Sequence, residues 1–177
     1  AEIIRAQGIA NVTFKVGNAL SLPFPDHSFD FVLSNGVVHH TSDPRRCFSE
    51  LCRVAKPGGH VLLGIYGYGG VFGRILHPLL MGVGKRIPFD AMKTLVRNTG
   101  FMRTQEGSIL DLMYTPIQTK HTAHEIERWF VDEHLEQVAI LRSPKRWFRV
   151  GWLSKAVFGD GYIYAMGRKK AAVAARA

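Results

Sequence analysis

The sequence predicts an α/β fold built on a largely parallel sheet, and three observations carry that expectation. Residues 29–34 (FDFVLS) and 60–66 (HVLLGIY) are near-continuous apolar runs, as expected of strands covered on both faces. Between them lies a helical pattern with its own start and stop signals. Strand, helix and strand in so short a stretch make a parallel crossover unit, whose hand is almost always right.

The elements follow in chain order. The opening AEIIRAQGIA reads as the end of an amphipathic helix, with Ile3 and Ile4 apolar, and suggests a processed or truncated start. Residues 12–16 (VTFKV) alternate apolar and polar side chains and stop at Gly17, the pattern of a short strand. A loop, NALSLPFPDHS, leads to the first apolar run. Asp43 as N-cap and Pro44 at the first helical position open a helix over residues 44–55, with Cys47, Leu51 and Val54 at helical spacing. Lys56-Pro57-Gly58-Gly59 ends it, and both glycines are expected at positive φ.

Residues 67–120 change character and read as an insertion or lid. A glycine-rich opening is followed by VFGRILHPLLMGVGK and then a helix from Asp90 through Met92, Leu95 and Val96 to Gly100. Arg74, His77 and Pro78 make the apolar piece too short and too polar to span a membrane. Gly67, Gly69, Gly70 and Gly73 imitate a dinucleotide loop, but the third glycine of that motif would fall at Phe72, whose bulk blocks close helix packing. Thr122 and Glu125 form a capping box for a helix whose apolar face is Ile126, Trp129 and Phe130. Residues 138–141 and 162–166 are the last strands, expected as an antiparallel edge.

A chain of 177 residues, 46% hydrophobic and 21% charged, suits a single domain over residues 1–170, followed by a frayed tail over 171–177. Cys47 and Cys52 match neither a redox nor a zinc spacing and read as reduced core thiols, which with no secretory leader pattern points to the cytoplasm. The net charge of +9 is concentrated at one end, because residues 142–177 hold nine of the 23 Lys and Arg against the single acid Asp160. There RSPKRWFRVGWLSK interleaves bases with Trp147, Phe148 and Trp152, a pattern open to phosphates or anionic lipid as well as to a solvated loop with packed aromatics.

Taken together, the glycine-asparagine-alanine turn, the Leu-Pro-Phe loop, Phe-Asp at the head of a strand, the paired histidines and Lys-Pro-Gly-Gly, all within residues 16–63, resemble the class I S-adenosylmethionine-dependent methyltransferases. The resemblance implies a Rossmann-like, doubly wound sheet with the cofactor across the carboxyl ends of its strands. It also implies that the chain supplies the third to seventh strands of that sheet. The first two strands, with the glycine loop and the acid that grips the ribose, are not in the chain and would leave unpaired strand edges.

By the same resemblance Gly17, Asn18, Ala19 and Leu20 border the adenine, with Asn18 standing where the family places an acid; the alternative is that Asn18 is only a turn residue. Asn35, Gly36 and Val37 follow the carboxyl end of the central strand and should face the methionine end of the cofactor. Asp30, at the other end of that strand, is expected to be structural. His39 and His40 invite a metal, but adjacent histidines diverge and no partner set lies at ligand spacing, so none is expected. His40 is the candidate general base, with His121 and His124 behind it. The lid's Tyr66, Tyr68, Phe72, Leu76, Leu79, Leu80 and Met81 favour a small apolar or aromatic methyl acceptor. No specific nucleic-acid partner is expected; weak contact with a membrane surface and the oligomeric state stay open. The alternatives are an inactive fragment of such an enzyme and a protein that binds RNA or an anionic surface through residues 142–155.

Overall fold

The computed structural model describes residues 8, 10–71, 74–75, 77–98, 107, 110–111, 113–141 and 161–171. Among them four strands, β1 (Phe29–Asn35), β2 (Ala55–Tyr66), β3 (Leu135–Leu141) and β4 (Tyr162–Lys169), form one sheet in the order β1-β2-β4-β3. β1 and β2 are parallel, while β4 runs antiparallel to both β2 and β3. The expected mixture of a parallel crossover and an antiparallel edge is therefore present.

Helix α1 (Pro44–Val54) is the crossover between β1 and β2, and Asp43 caps it through a 2.9 Å bond from the Arg46 amide. Helix α2 spans His77–Gly84, α3 spans Phe89–Asn98 and α4 spans Ala123–Asp132. The capping box of α4 is half formed. Thr122 accepts from the Glu125 amide at 3.1 Å, but the Glu125 carboxylate turns to His121. α1 and α4 cover one face of the sheet, where Phe48, Ile126 and Phe130 pack against Val61, Leu63, Ile65 and Ala165. Cys47 and Cys52 lie in this core as free thiols, and burial pushes Cys47 to about 11 and raises Cys52 as well, so both stay protonated and inert.

Three expectations need correction. Residues 12–16 are not a strand: they make no ladder, and Phe14 and Val16 are exposed. A strand exists only through its partners, and no described strand lies beside this segment. β1 is not covered on both faces among the described residues, since Val32 and Ser34 are buried while Phe31 and Leu33 are 53% and 58% exposed. Finally, β2 begins five residues earlier than the apolar run, at Ala55, and of the pair Gly58 and Gly59 only the first needs a positive φ. Gly58 adopts φ 80°, whereas Gly59 is required by proximity, because a Cβ there would lie 2.9 Å from the carbonyl oxygens of Asp30 and Lys56.

The segment expected as an insertion or lid has a small core of its own, in which Met92, Val96 and Leu110 are buried with Ile87, Met113 and Tyr114 packed on them. No described helix is long and apolar enough to cross a membrane. The opening helix over residues 1–7, Phe72 and Gly73 of the glycine-rich stretch, Leu76, the basic segment 142–155 and the tail 172–177 lie outside the described residues.

Candidate active site at the carboxyl rim of the sheet

In a right-handed crossover the helix starts at the carboxyl ends of the parallel strands and returns to their amino ends, so α1 is a ruler for everything bonded to it. The loop before β1 is tied along its length. Arg46, in the first turn, donates to the Leu20 carbonyl at 3.0 Å; Glu50 accepts from the Leu22 amide at 2.7 Å; Arg53, in the last turn, donates to the Phe24 carbonyl at 2.9 Å and to Asp26 at 2.7 Å. The loop therefore descends from the carboxyl rim to the amino rim, and Asn18 belongs to the upper end. Asn18 closes a turn on itself, its carboxamide oxygen accepting from the Leu20 amide at 2.9 Å. That leaves the second lone pair of the oxygen and both N–H donors for other partners.

Asn35 ends β1 at the same rim. Its carboxamide oxygen accepts from the Tyr162 hydroxyl at 2.8 Å, and the following Gly36 turns at φ 76° with its amide bonded to the Gly64 carbonyl at 3.1 Å. Gly64 has to be small, because a Cβ there would overlap the Asn35 carboxamide and come within 3.0 Å of the Tyr162 and Tyr164 rings. Burial, helped by the neighbouring Tyr164 and Tyr66, pushes the Tyr162 phenol up to about 12, so it remains a donor to Asn35. Asp30, at the amino end of β1, pairs with Lys56 at 2.9 Å, away from this rim.

Beyond Gly36 and Val37 a single three-ten turn, Val38–His40, carries the paired histidines. They do not diverge, as the sequence suggested: the tight turn brings their rings to 4.2 Å, and His39 also stacks on Tyr66 at 3.9 Å. His39 is fully buried. Burial and the neighbouring His40 depress it to about 4, so it is a neutral imidazole. Its Nδ1 accepts from the Tyr66 amide at 3.4 Å, which assigns the proton to Nε2, a buried donor without a partner among the described residues.

His40 is held from both sides by Ile117 and Asp111. Its Nδ1 lies 2.9 Å from the Ile117 carbonyl, and its Nε2 3.2 Å from Asp111. A carbonyl only accepts, so Nδ1 carries a proton and Nε2 is the nitrogen that can exchange one. Asp111 also accepts from Tyr66 at 3.2 Å and from the Thr115 hydroxyl at 2.8 Å. Against burial, which would raise it, these donors and His40 hold its carboxyl below the ordinary range. Thr119 donates its amide to the His39 carbonyl at 2.9 Å and its side chain meets His121 at 2.9 Å. His121 in turn pairs with Glu125 at 2.8 Å, so it braces α4, and His124 lies at a separate surface cleft beside Arg45 and Arg128. Among the described residues no group of three or more His, Cys, Asp or Glu is placed to hold a metal.

The rim thus unites Asn18, Asn35, Gly36, His39 and His40 with Tyr66, Tyr162 and Asp111. Sequence reasoning missed the roles of the last three. Tyr66 and Tyr162 carried a faint signal, as aromatic residues at strand ends facing the rim; Asp111 carried none.

This combination of a crossover unit and a mixed 4-stranded sheet is a Rossmann-like α/β fold, similar to that of solved structures of S-adenosylmethionine-dependent methyltransferases. Residues 2–63 match the model of the family described as a methyltransferase domain. Over 57 residues the chain is 47% identical to an uncharacterized methyltransferase, YcgJ, of Bacillus subtilis, covering 32% of this chain and 22% of that protein. It is also 43% identical over 61 residues to a demethylmenaquinone methyltransferase of Anoxybacillus flavithermus, covering 34% of this chain and 26% of the relative. The chain spans about a quarter of the length of these curated relatives. Among solved structures, phosphoethanolamine N-methyltransferase 2 of Haemonchus contortus, in complex with S-adenosyl-L-methionine, superposes with a TM-score of 0.59 at 18% identity, covering 96% of this chain and 40% of that one. The crystal structure of YcgJ superposes with a TM-score of 0.53 at 20% identity, covering 96% of this chain and 76% of that one.

Proposed function

We propose that the protein is an S-adenosylmethionine-dependent methyltransferase acting on a small molecule with an apolar or aromatic body. Two observations support the reading: the loop just after Asn18 is tied through Leu20 to the first turn of α1, and the Asn35–Gly36 corner ends β1 at the rim from which α1 starts, both within the part of the chain that matches the methyltransferase family. The residues present suit the adenine and methionine ends of the cofactor: two neutral carboxamides able to bond polar edges, a glycine corner that keeps backbone exposed, and tyrosine rings whose faces attract a cation. When bound, the cofactor supplies a methyl group on a positively charged sulfur.

The chain's own groups then have separable tasks. Asn18 and Leu20 border the adenine, Asn35 and Gly36 the methionine end, and the Tyr162 hydroxyl keeps the Asn35 carboxamide in one orientation. His40 takes the proton of an oxygen or nitrogen nucleophile at Nε2, with Nδ1 fixed by the Ile117 carbonyl. For this the acceptor must replace Asp111 at Nε2, so proton transfer accompanies a small displacement of the lid. Orientation supplies most of the rate.

Titration calorimetry with S-adenosylhomocysteine, the stable product, tests this reading. Binding is expected, weakened about tenfold in Asn18→Ala and in Asn35→Ala, as the loss of one well-placed hydrogen bond each of about 1.4 kcal/mol requires. No binding by the protein, or unchanged binding in both variants, refutes it.

A further inference from the structure

Helix α2 leaves an apolar side in water that the rim does not use. One side of it is turned inward: Gly84 is buried, and a Cβ there would overlap Met113 and lie 3.8 Å from Met92 of α3. A flank with Pro78 and Met81 borders a cleft against residues 115–120. With about 100° between successive helical residues, Leu79 is turned roughly 140° from Gly84, away from the packed side. Leu79 is 64% exposed, and Ile75, four residues before it, is 61% exposed. Arg86, seven residues after Leu79, is exposed as well. Spacings of four and seven put residues on one side of a helix.

Large aliphatic side chains gathered on a free face mark an interaction surface, and the charge around them selects its partner. From Leu51 to Phe89 the sequence holds no acid; Arg74, Lys85 and Arg86 are exposed along it, and the next acid, Asp90, lies in the first turn of α3. A helix with an apolar outer side and bases at its edges suits the plane of a negatively charged lipid surface, with its aliphatic groups among the acyl chains and its bases at the headgroups. The Arg74 guanidinium lies over the Tyr68 ring at 5.2 Å, a pairing of cation and amphipathic ring fitted to the headgroup layer. The 8 residues of α2 make a helix about 12 Å long, so it can lie on a bilayer but not cross one.

We propose that the outer side of α2, Ile75 and Leu79 with Arg74, Lys85 and Arg86 about them, docks the protein on a negatively charged lipid bilayer. The inner side of α2 packs on Met113, two residues after the Asp111 that pairs with His40, so the docked surface and the histidine turn belong to one packed unit. The docking itself does not require the function proposed above.

Co-sedimentation of the full chain with vesicles of phosphatidylcholine alone, and of phosphatidylcholine mixed with phosphatidylglycerol, tests the proposal at low and at high salt. Binding is expected to the charged vesicles only, and should fade as salt screens the headgroups. Leu79→Gln should weaken it about tenfold, since one aliphatic side chain no longer enters the bilayer. Arg86→Gln should weaken it about fivefold, the effect of one base near an anionic surface. Val131→Gln, which alters a similarly exposed aliphatic residue on α4, should leave binding unchanged. Ile75→Gln carries the test should Leu79→Gln fail to fold. Equal binding to both kinds of vesicle, binding to neither, or wild-type binding in the α2 variants overturns the proposal. So does a dimer in sedimentation equilibrium that Leu79→Gln dissociates, because the face would then belong to a second copy of the chain.

Discussion

Acidification should destabilise the protein in a window set by His39. In the folded protein this ring is fully buried and titrates near 4, against 6.5 for a free histidine. The folded value lies below the unfolded one, so between the two the unfolded chain binds the extra proton and stability falls as pH falls. The contribution is complete above 6.5 and lost by the time pH reaches about 4. At about 1.4 kcal/mol per pH unit, the depression from 6.5 to about 4 amounts to roughly 3 kcal/mol. That is a large part of the stability of a small domain. Urea unfolding from pH 7 down to 4, in wild type and in His39→Asn, measures it. Asparagine keeps an acceptor near the position of Nδ1 for the Tyr66 amide but cannot titrate. The variant is less stable at pH 7, having lost its stacking on Tyr66, yet its stability should be nearly flat where the wild type declines. Asp111 and Glu50, both held below the ordinary carboxyl range, lose their contributions at lower pH and in both proteins alike. Parallel slopes for the two proteins between pH 6.5 and 4 would refute the assignment of a neutral, buried His39.

Two further outcomes follow from the rim. Tyr162→Phe removes the hydroxyl that orients Asn35 and should cost about 1 kcal/mol of stability and weaken S-adenosylhomocysteine binding severalfold; because the phenol stays protonated to about 12, both losses should be equal at pH 6 and pH 9. Arg53→Met cuts the tie between the end of α1 and the loop at Leu22, Phe24 and Asp26. Hydrogen exchange at the amides of Leu22 and Phe24 should then quicken and cofactor affinity fall, with the strand amides of β2 unchanged; equal protection across the loop would show that Arg53 does not hold it.

What the sequence made legible was whatever is local. The N-cap at Asp43, the proline behind it, the apolar spacing of α1 and the two strands it joins are all specified within residues 29–66, and each element formed, although β1 is open on one face among the described residues and β2 starts before its apolar run. The Asn35 and Gly36 corner could be named because it ends a strand whose direction the crossover fixes. The partners that give the rim its chemistry could not be named. Tyr162 reaches Asn35 from 127 positions away, and His40 meets the Ile117 carbonyl across 77. No periodicity encodes such meetings, since they depend on the order of strands in the sheet and on where the chain returns to the rim. The glycine pair after α1 illustrates the same limit: composition announced a turn, but whether a glycine is needed for its φ or for its missing Cβ depends on a strand thirty residues away.

The failures at residues 12–16 and on the outer face of β1 share one physical cause. Alternation of apolar and polar residues records which side chains lower the free energy when covered, and a continuous apolar run records that both faces do so. Neither says that a cover is at hand. Phe31 and Leu33 have the composition of a buried strand and the exposure of a surface one, beside a strand edge that no described strand occupies. The pattern and the exposure are reconciled by any apolar cover of that face. The residues concerned are the ones that lead up to Asn18 and Asn35. Under the proposed function, the loss of S-adenosylhomocysteine binding in Asn18→Ala and Asn35→Ala relative to wild type reports on the rim itself, whatever covers that face.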